Sequence, residues 1–167
     1  MRLAGRNVLV DPGPESLLRF LSYVPELPPE RLDALILTHK HIDHSADVNV
    51  YLDVMTRGGL NKRGILLAPA DAFGEDGVIY KYLLGFVDQT VVITEKLNFR
   101  LAELSFDFPI RHDHRVETYG FRLSFRDVTM SYITDTKFFD GLIEAYRSDI
   151  LIMNVIKLTD SDIDHLS

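Results

Sequence analysis

Short apolar runs divided by turn residues organise this chain. Asn7-Val8-Leu9-Val10 reads as a buried strand, stopped by Asp11-Pro12-Gly13-Pro14, where two prolines and a glycine fix a turn. Over residues 15–23, Leu17, Leu18, Phe20 and Leu21 recur at helical spacing. Pro25-Glu26-Leu27-Pro28-Pro29 ends that helix, because a proline ring disfavours the helical conformation of the residue before it. Residues 35–37 form the next buried strand. Residues 46–55 form a helix with Val48, Leu52 and Met55 on one stripe, closed by Gly58-Gly59. Strands at 65–68 and 91–93 flank a mixed segment, 74–85. Between 99 and 133 the pattern changes to strand after strand of alternating polarity, as in Phe106-Asp107-Phe108 and Phe121-Arg122-Leu123-Ser124-Phe125. A helix around 141–146 and the apolar strand Ile150-Leu151-Ile152-Met153 follow. No repeat, low-complexity tract or linker interrupts the order, which predicts an α/β protein of mixed sheets with intervening helices.

Composition narrows the class. A chain of 167 residues, 46% hydrophobic and 26% charged, has the size and balance of one soluble globular domain. No apolar run approaches the roughly 20 residues that a membrane span needs. Met1-Arg2-Leu3-Ala4-Gly5-Arg6 lacks the apolar stretch of a secretory signal, so the expectation is a cytoplasmic protein with no membrane partner. Without cysteine there is neither a disulfide nor a thiolate, and any metal must be held by His, Asp or Glu. A net charge of −7 without a long basic run argues against a general electrostatic grip on nucleic acid.

The chemistry concentrates in Thr38-His39-Lys40-His41-Ile42-Asp43-His44, directly after the apolar run Ala34-Leu35-Ile36-Leu37. A packed core has no use for that composition, whereas a pair of divalent ions does. Imidazole is the commonest ligand of zinc-like ions, and carboxylates harden a site for Zn, Mn or Fe. In an extended loop His39 and His41 project the same way and can grip one ion, with Asp43 and His44 reaching a second. Two ions about 3.5–4 Å apart activate a water and polarise a phosphoryl or carbonyl oxygen. A solvated loop that is merely rich in histidine is the bland alternative. The remaining histidines are His112 and His114, after an apolar-rich segment, and His165 near the C-terminus.

Residues 38–44 reproduce the H-x-H-x-D-H motif of the metallo-β-lactamase fold superfamily, and the resemblance extends over about 7–154. The strand ending at Asp11-Pro12-Gly13 resembles the first motif of that superfamily. His114-Arg115-Val116-Glu117-Thr118-Tyr119-Gly120-Phe121-Arg122 resembles the third, a ligand histidine shortly before an aromatic-Gly pair. Tyr132-Ile133-Thr134-Asp135-Thr136 resembles the fourth, a strand ending in a bridging Asp. The resemblance implies an αβ/βα four-layer sandwich of two mixed β-sheets flanked by helices. It also implies a metal-dependent hydrolase that uses a metal-bridging hydroxide.

Carried over, His39, His41 and His114 hold one ion, Asp43 and His44 hold a second, and Asp135 bridges; the ions are two divalent metals, Zn ahead of Mn or Fe. Asp43 then has a catalytic role as well, and Asp11 orients a ligand imidazole. Three alternatives stand beside this. Asp11 would only cap its turn, Asp135 would be an ordinary turn residue, or His112, sharing a face with His114, would replace it as the ligand. Asp164-His165-Leu166-Ser167 resembles the start of a late helix in the ribonuclease Z-like branch, where such a histidine lies near the scissile phosphate; His165 is the second implied catalytic residue.

The fifth motif of the superfamily, a final ligand histidine, would fall beyond Ser167, and members carry strands before the one ending at Asp11. The expectation is therefore a single domain over 1–167, shortened at one or both ends, with a weakened second metal and an unshielded sheet edge that favours self-association into a homo-oligomer. The third motif stands closest to the ribonuclease Z and small phosphodiesterase branch. It points to a phosphodiester or related small phosphate ester, with nucleic acid not favoured. Hydrolysis of a carboxylic or thiol ester or a lactone is the alternative, as is a non-catalytic metal-binding or interaction subunit.

Overall fold

The structure is a computed structural model that describes residues 1–155. Its strands form two mixed five-stranded sheets, and the chain divides into two compact units, Met1–Val92 and Ile93–Ser167. In the first, β1 (Arg2–Leu3), β2 (Arg6–Val10), β3 (Ala34–Ile36), β4 (Ile65–Pro69) and β5 (Gln89–Ile93) lie side by side in that order. β2, β3 and β4 are parallel, with Val8 opposite Ala34 and Ala34 opposite Ile65. Parallel strands covered on both faces read as continuous apolar runs, and every residue of β3 is buried.

Helices supply the cover. In α1 (Ser16–Tyr23) Leu17 and Phe20 pack on the core, while Leu18, Leu21 and Tyr23 are exposed. The apolar stripe expected there is thus only half used. α2 (Ile42–Ser45) is a single turn inside the histidine-rich segment that the sequence pattern predicts as a loop. α3 (Val48–Thr56) buries Val48, Tyr51, Leu52 and Met55. It stops as expected, at Arg57 and Gly58, both left-handed, with the Gly58 N–H donating to the Asp53 carbonyl. Gly59 is fixed by contact, because a Cβ there would come within 2.6 Å of the Phe86 ring.

The second unit contains β6 (Leu97–Leu101), β7 (Leu104–Phe108), β8 (Phe121–Phe125), β9 (Val128–Ile133) and β10 (Ile150–Met153), in spatial order β10-β9-β8-β7-β6. β6 to β9 form an antiparallel meander, as the alternating pattern of 99–133 predicts. Its buried face is aromatic: Phe106 lies 5.6 Å from Phe121, which stacks on Tyr132 at 5.3 Å. A parallel neighbour needs a crossover, and α4 (Leu142–Ala145) lies on the one that brings β10 back beside β9. All four residues of β10 are exposed despite being apolar. Among the described residues no helix is long and apolar enough to cross a membrane.

Strand direction decides where chemistry can sit. Parallel β2, β3 and β4 deliver Asp11, Thr38 and Asp71 from their carboxyl ends, where open α/β sheets form sites. In the second unit, parallel β9 and β10 likewise release Asp135 and Asn154 at neighbouring ends, and the Asn154 N–H donates to the Ile133 carbonyl. The core under the first site is testable. Leu35→Ala removes a fully buried side chain and should cost about 2–5 kcal/mol, read as a lower urea midpoint. A loss below about 0.5 kcal/mol, the range of surface substitutions, would place Leu35 outside the packed core.

Candidate metal centre

Asp11 is the hub of the histidine cluster in the first unit. It follows β2 in a left-handed conformation, φ +48°, which costs a non-glycine residue on the order of 1–3 kcal/mol. Its N–H donates to the Ile36 carbonyl, and its carboxylate turns toward the end of β3. There Oδ1 accepts the Thr38 N–H at 2.7 Å, and Oδ2 accepts the Thr38 hydroxyl at 2.8 Å and His44 Nδ1–H at 3.1 Å. The carboxylate therefore does more than cap the Pro-Gly turn.

These bonds settle two tautomers. A carboxylate only accepts, so in the neutral ring of His44 the proton is on Nδ1 and Nε2 is the lone-pair nitrogen. The single hydroxyl proton of Thr38 goes to Asp11, so its oxygen, 3.2 Å from His39 Nδ1, accepts from that nitrogen. His39 Nε2 is then also the lone-pair nitrogen. One buried carboxylate orients two imidazoles, one directly and one through a hydroxyl.

The rings lie close together. His39 is 4.1 Å from His44 and 5.0 Å from His41, centroid to centroid. His39 is fully buried, and Asp43 projects from the first turn of α2 with its carboxylate mostly exposed, 3.7 Å from His44 Nε2. Gly13 permits this approach: a Cβ there would lie 2.0 Å from the Asp43 carbonyl oxygen. Lys40, the charged residue inside the motif, turns to Asp71 at 3.6 Å. Imidazoles gathered beside a carboxylate are the donor chemistry of a borderline divalent ion, and these residues fit one.

The second unit holds His112, His114 and Asp135. His112 is buried, and that burial pushes its pKa down to about 4, so the ring is neutral near pH 7. Burial also holds the Tyr146 phenol above its ordinary value, so it remains an O–H donor. Tyr146 donates to His112 Nε2 at 2.8 Å and the Gly120 N–H does so at 3.3 Å. The proton of His112 is then on Nδ1 and goes to the Asp135 carbonyl at 3.2 Å. Both nitrogens serve the protein, which separates His112 from a ligand's role. His114 is half-buried, its N–H donating to the His112 carbonyl.

Asp135 is 1% exposed, unlike a solvated turn residue, and its Oδ1 accepts from Asn154 Nδ2 at 2.7 Å. Thr38, Tyr146 and Asn154 are the residues that sequence reasoning missed. Only Asn154 had a signal, as the polar residue ending the apolar run Ile150–Met153. His165 lies outside the described residues.

A family model described as Beta-lactamase superfamily domain matches residues 6–167. The chain belongs to that superfamily, and its two mixed sheets with few helices are those of the metallo-β-lactamase α/β sandwich. Uncharacterized protein MJ1374 of Methanocaldococcus jannaschii is 32% identical over 157 residues, 89% of this chain and 57% of that protein. Probable metallo-hydrolase YhfI of Bacillus subtilis is 28% identical over 159 residues, 93% of this chain and 63% of that protein. The crystal structure of YhfI, a metallo-beta-lactamase fold protein, matches with a TM-score of 0.77 at 23% identity, covering 98% of this chain and 66% of that one. A diphosphatase from the PhnP family matches with a TM-score of 0.69 at 24% identity, covering 91% of this chain and 57% of that one. The chain thus spans 57% and 63% of the two curated relatives.

Burial of His112 gives the metal-free chain a pH signature. Its folded pKa, about 4, lies below the ordinary 6.5, so between those values the unfolded chain binds more protons. The contribution is complete above pH 6.5 and is lost as pH falls through that window, by up to about 3 kcal/mol. Urea unfolding in EDTA at pH 7 and 4.5 should show this loss, reduced in His112→Asn. An equal loss in both proteins would assign the pH dependence to other groups.

Proposed function

We propose that this chain is a metal-dependent hydrolase acting on a phosphodiester or related small phosphate ester. The observation that carries the reading is the Asp11 hub, which sets the tautomers of His39 and His44. Orienting carboxylates of this kind raise the basicity of ligand imidazoles and fix their rings. By the resemblance of the motifs, His39, His41, His114 and Asp135 would serve one ion, and Asp43, His44 and Asp135 the second. Membership of the superfamily supports it, as does the relative named a metallo-hydrolase. The preference for phosphate esters rests on the third motif, His114 through Arg122.

Divalent ions bound there would bring the pKa of a water ligand down to about 7 and polarise a phosphoryl oxygen. The protein's own share is orientation. Asp11 and Thr38 hold two imidazoles ready, so little reorganisation accompanies binding. In this reading Asp43, exposed next to His44 Nε2, would accept a hydrogen bond from the nucleophile and hold it in line. His165, by the resemblance of residues 164–167, is the remaining catalytic candidate. Zinc is the favoured ion, with Mn or Fe as alternatives, and a small-molecule ester is the favoured partner. We take the chain as one domain of the superfamily.

The test is turnover of bis(p-nitrophenyl) phosphate alongside a thioester and a lactone. Diesterase activity that EDTA abolishes and zinc restores supports the reading; activity on the carboxylic esters alone would move the substrate class. Asp43→Asn should keep the fold and lose about 100-fold or more of the turnover, within the range of general acid–base groups. Unchanged turnover in a variant that still binds zinc would remove Asp43 from the mechanism. No turnover together with zinc binding would indicate a metal-binding subunit without catalysis.

A further inference from the structure

Two neutral groups of the protein hold Asp135. Asn154, just past β10, donates to its carboxylate Oδ1 at 2.7 Å. His112 donates to its main-chain carbonyl at 3.2 Å. His112 is itself braced by Tyr146, which follows α4, and by the Gly120 N–H at the start of β8. The frame is tight. A Cβ on Gly120 would meet the Tyr132 carbonyl oxygen at 2.4 Å, the Tyr146 hydroxyl at 2.9 Å and His112 Cε1 at 3.1 Å.

We infer that Asn154 and His112 are positioning residues for Asp135, Asn154 fixing the orientation of its carboxylate through Oδ1. The inference rests on the proposal that Asp135 is a metal ligand. The physical reason is geometric. A carboxylate on one side chain has two equivalent oxygens and a free torsion, and a donor on one oxygen removes both freedoms. Neutral donors suit the task, because a Lys or Arg at the same place would neutralise the charge that the ions need. His112 fixes the backbone from which that side chain starts, and Tyr146 fixes His112.

Such supporting contacts are typically worth about 10–100-fold in metal affinity. The experiment uses zinc titration and the cobalt(II) absorption spectrum of the chain, with melting in EDTA as a control for folding. Asn154→Leu keeps the volume and removes the donor, with Asn154→Ala as a second variant should the first not fold. Tyr146→Phe removes only the hydroxyl that braces His112. The expected result is weaker zinc binding, by about 10–100-fold for the Asn154 variants and less for Tyr146→Phe, with an altered cobalt spectrum. A contact that merely supports the fold would lower the melting temperature and leave that spectrum unchanged. Asp135→Ala separates the two levels. If it loses zinc while the Asn154 variants bind zinc like the parent, the positioning role is overturned and the metal assignment survives. If Asp135→Ala itself binds zinc like the parent, the metal assignment fails and this inference with it.

Discussion

A buried carboxylate in water-excluded surroundings is costly unless hydrogen bonds replace its hydration, and Asp11 meets that requirement by gathering the motif around itself. Its side chain is nearly buried and accepts from the Thr38 N–H, the Thr38 hydroxyl and His44 Nδ1. Much else in the first unit follows from this. The left-handed turn at Asp11, the close approach allowed by Gly13, and the parallel register of β2 and β3 all serve to bring one oxygen pair to the end of β3. Without that carboxylate, Thr38 could donate elsewhere and neither imidazole would have a fixed tautomer.

The second unit solves a related problem with neutral groups. Asp135 is almost fully buried, with Asn154 donating to its carboxylate and His112, braced by Tyr146, donating to its main-chain carbonyl. Neutral donors of this kind orient a carboxylate without neutralising its charge.

The sequence made the scaffold legible where periodicity was strong. The apolar run ending at Leu37, the stripe of Val48, Leu52 and Met55, and the alternating polarity of β7 and β8 correspond to the observed elements. It was less informative where local pattern and tertiary contact diverge. Residues 42–45 form a helical turn that their composition does not announce, and Leu18 and Leu21 have helical spacing yet face outward. Candidate ligands were visible because His and Asp cluster for chemical reasons. Their supports were not: Thr38, Asn154 and Tyr146 are ordinary residue types, and only long-range pairing brings Asn154 to Asp135 or Tyr146 to His112. The choice between His112 and His114 shows the same limit. Their spacing puts both on one face, and only the hydrogen bonds of the ring separate them.

The central claim is that Asp11 presets His39 and His44 with the Nδ1 proton held by the protein and Nε2 as the lone-pair nitrogen. Long-range proton–nitrogen correlation spectra of the imidazoles, recorded on the metal-free chain and during addition of zinc, test it most directly. The account predicts that both rings are Nδ1–H tautomers before zinc is added, with the Nε2 resonances alone moving strongly as it binds. Nε2–H tautomers in the metal-free chain, or zinc-dependent shifts at Nδ1 of His44, would contradict it.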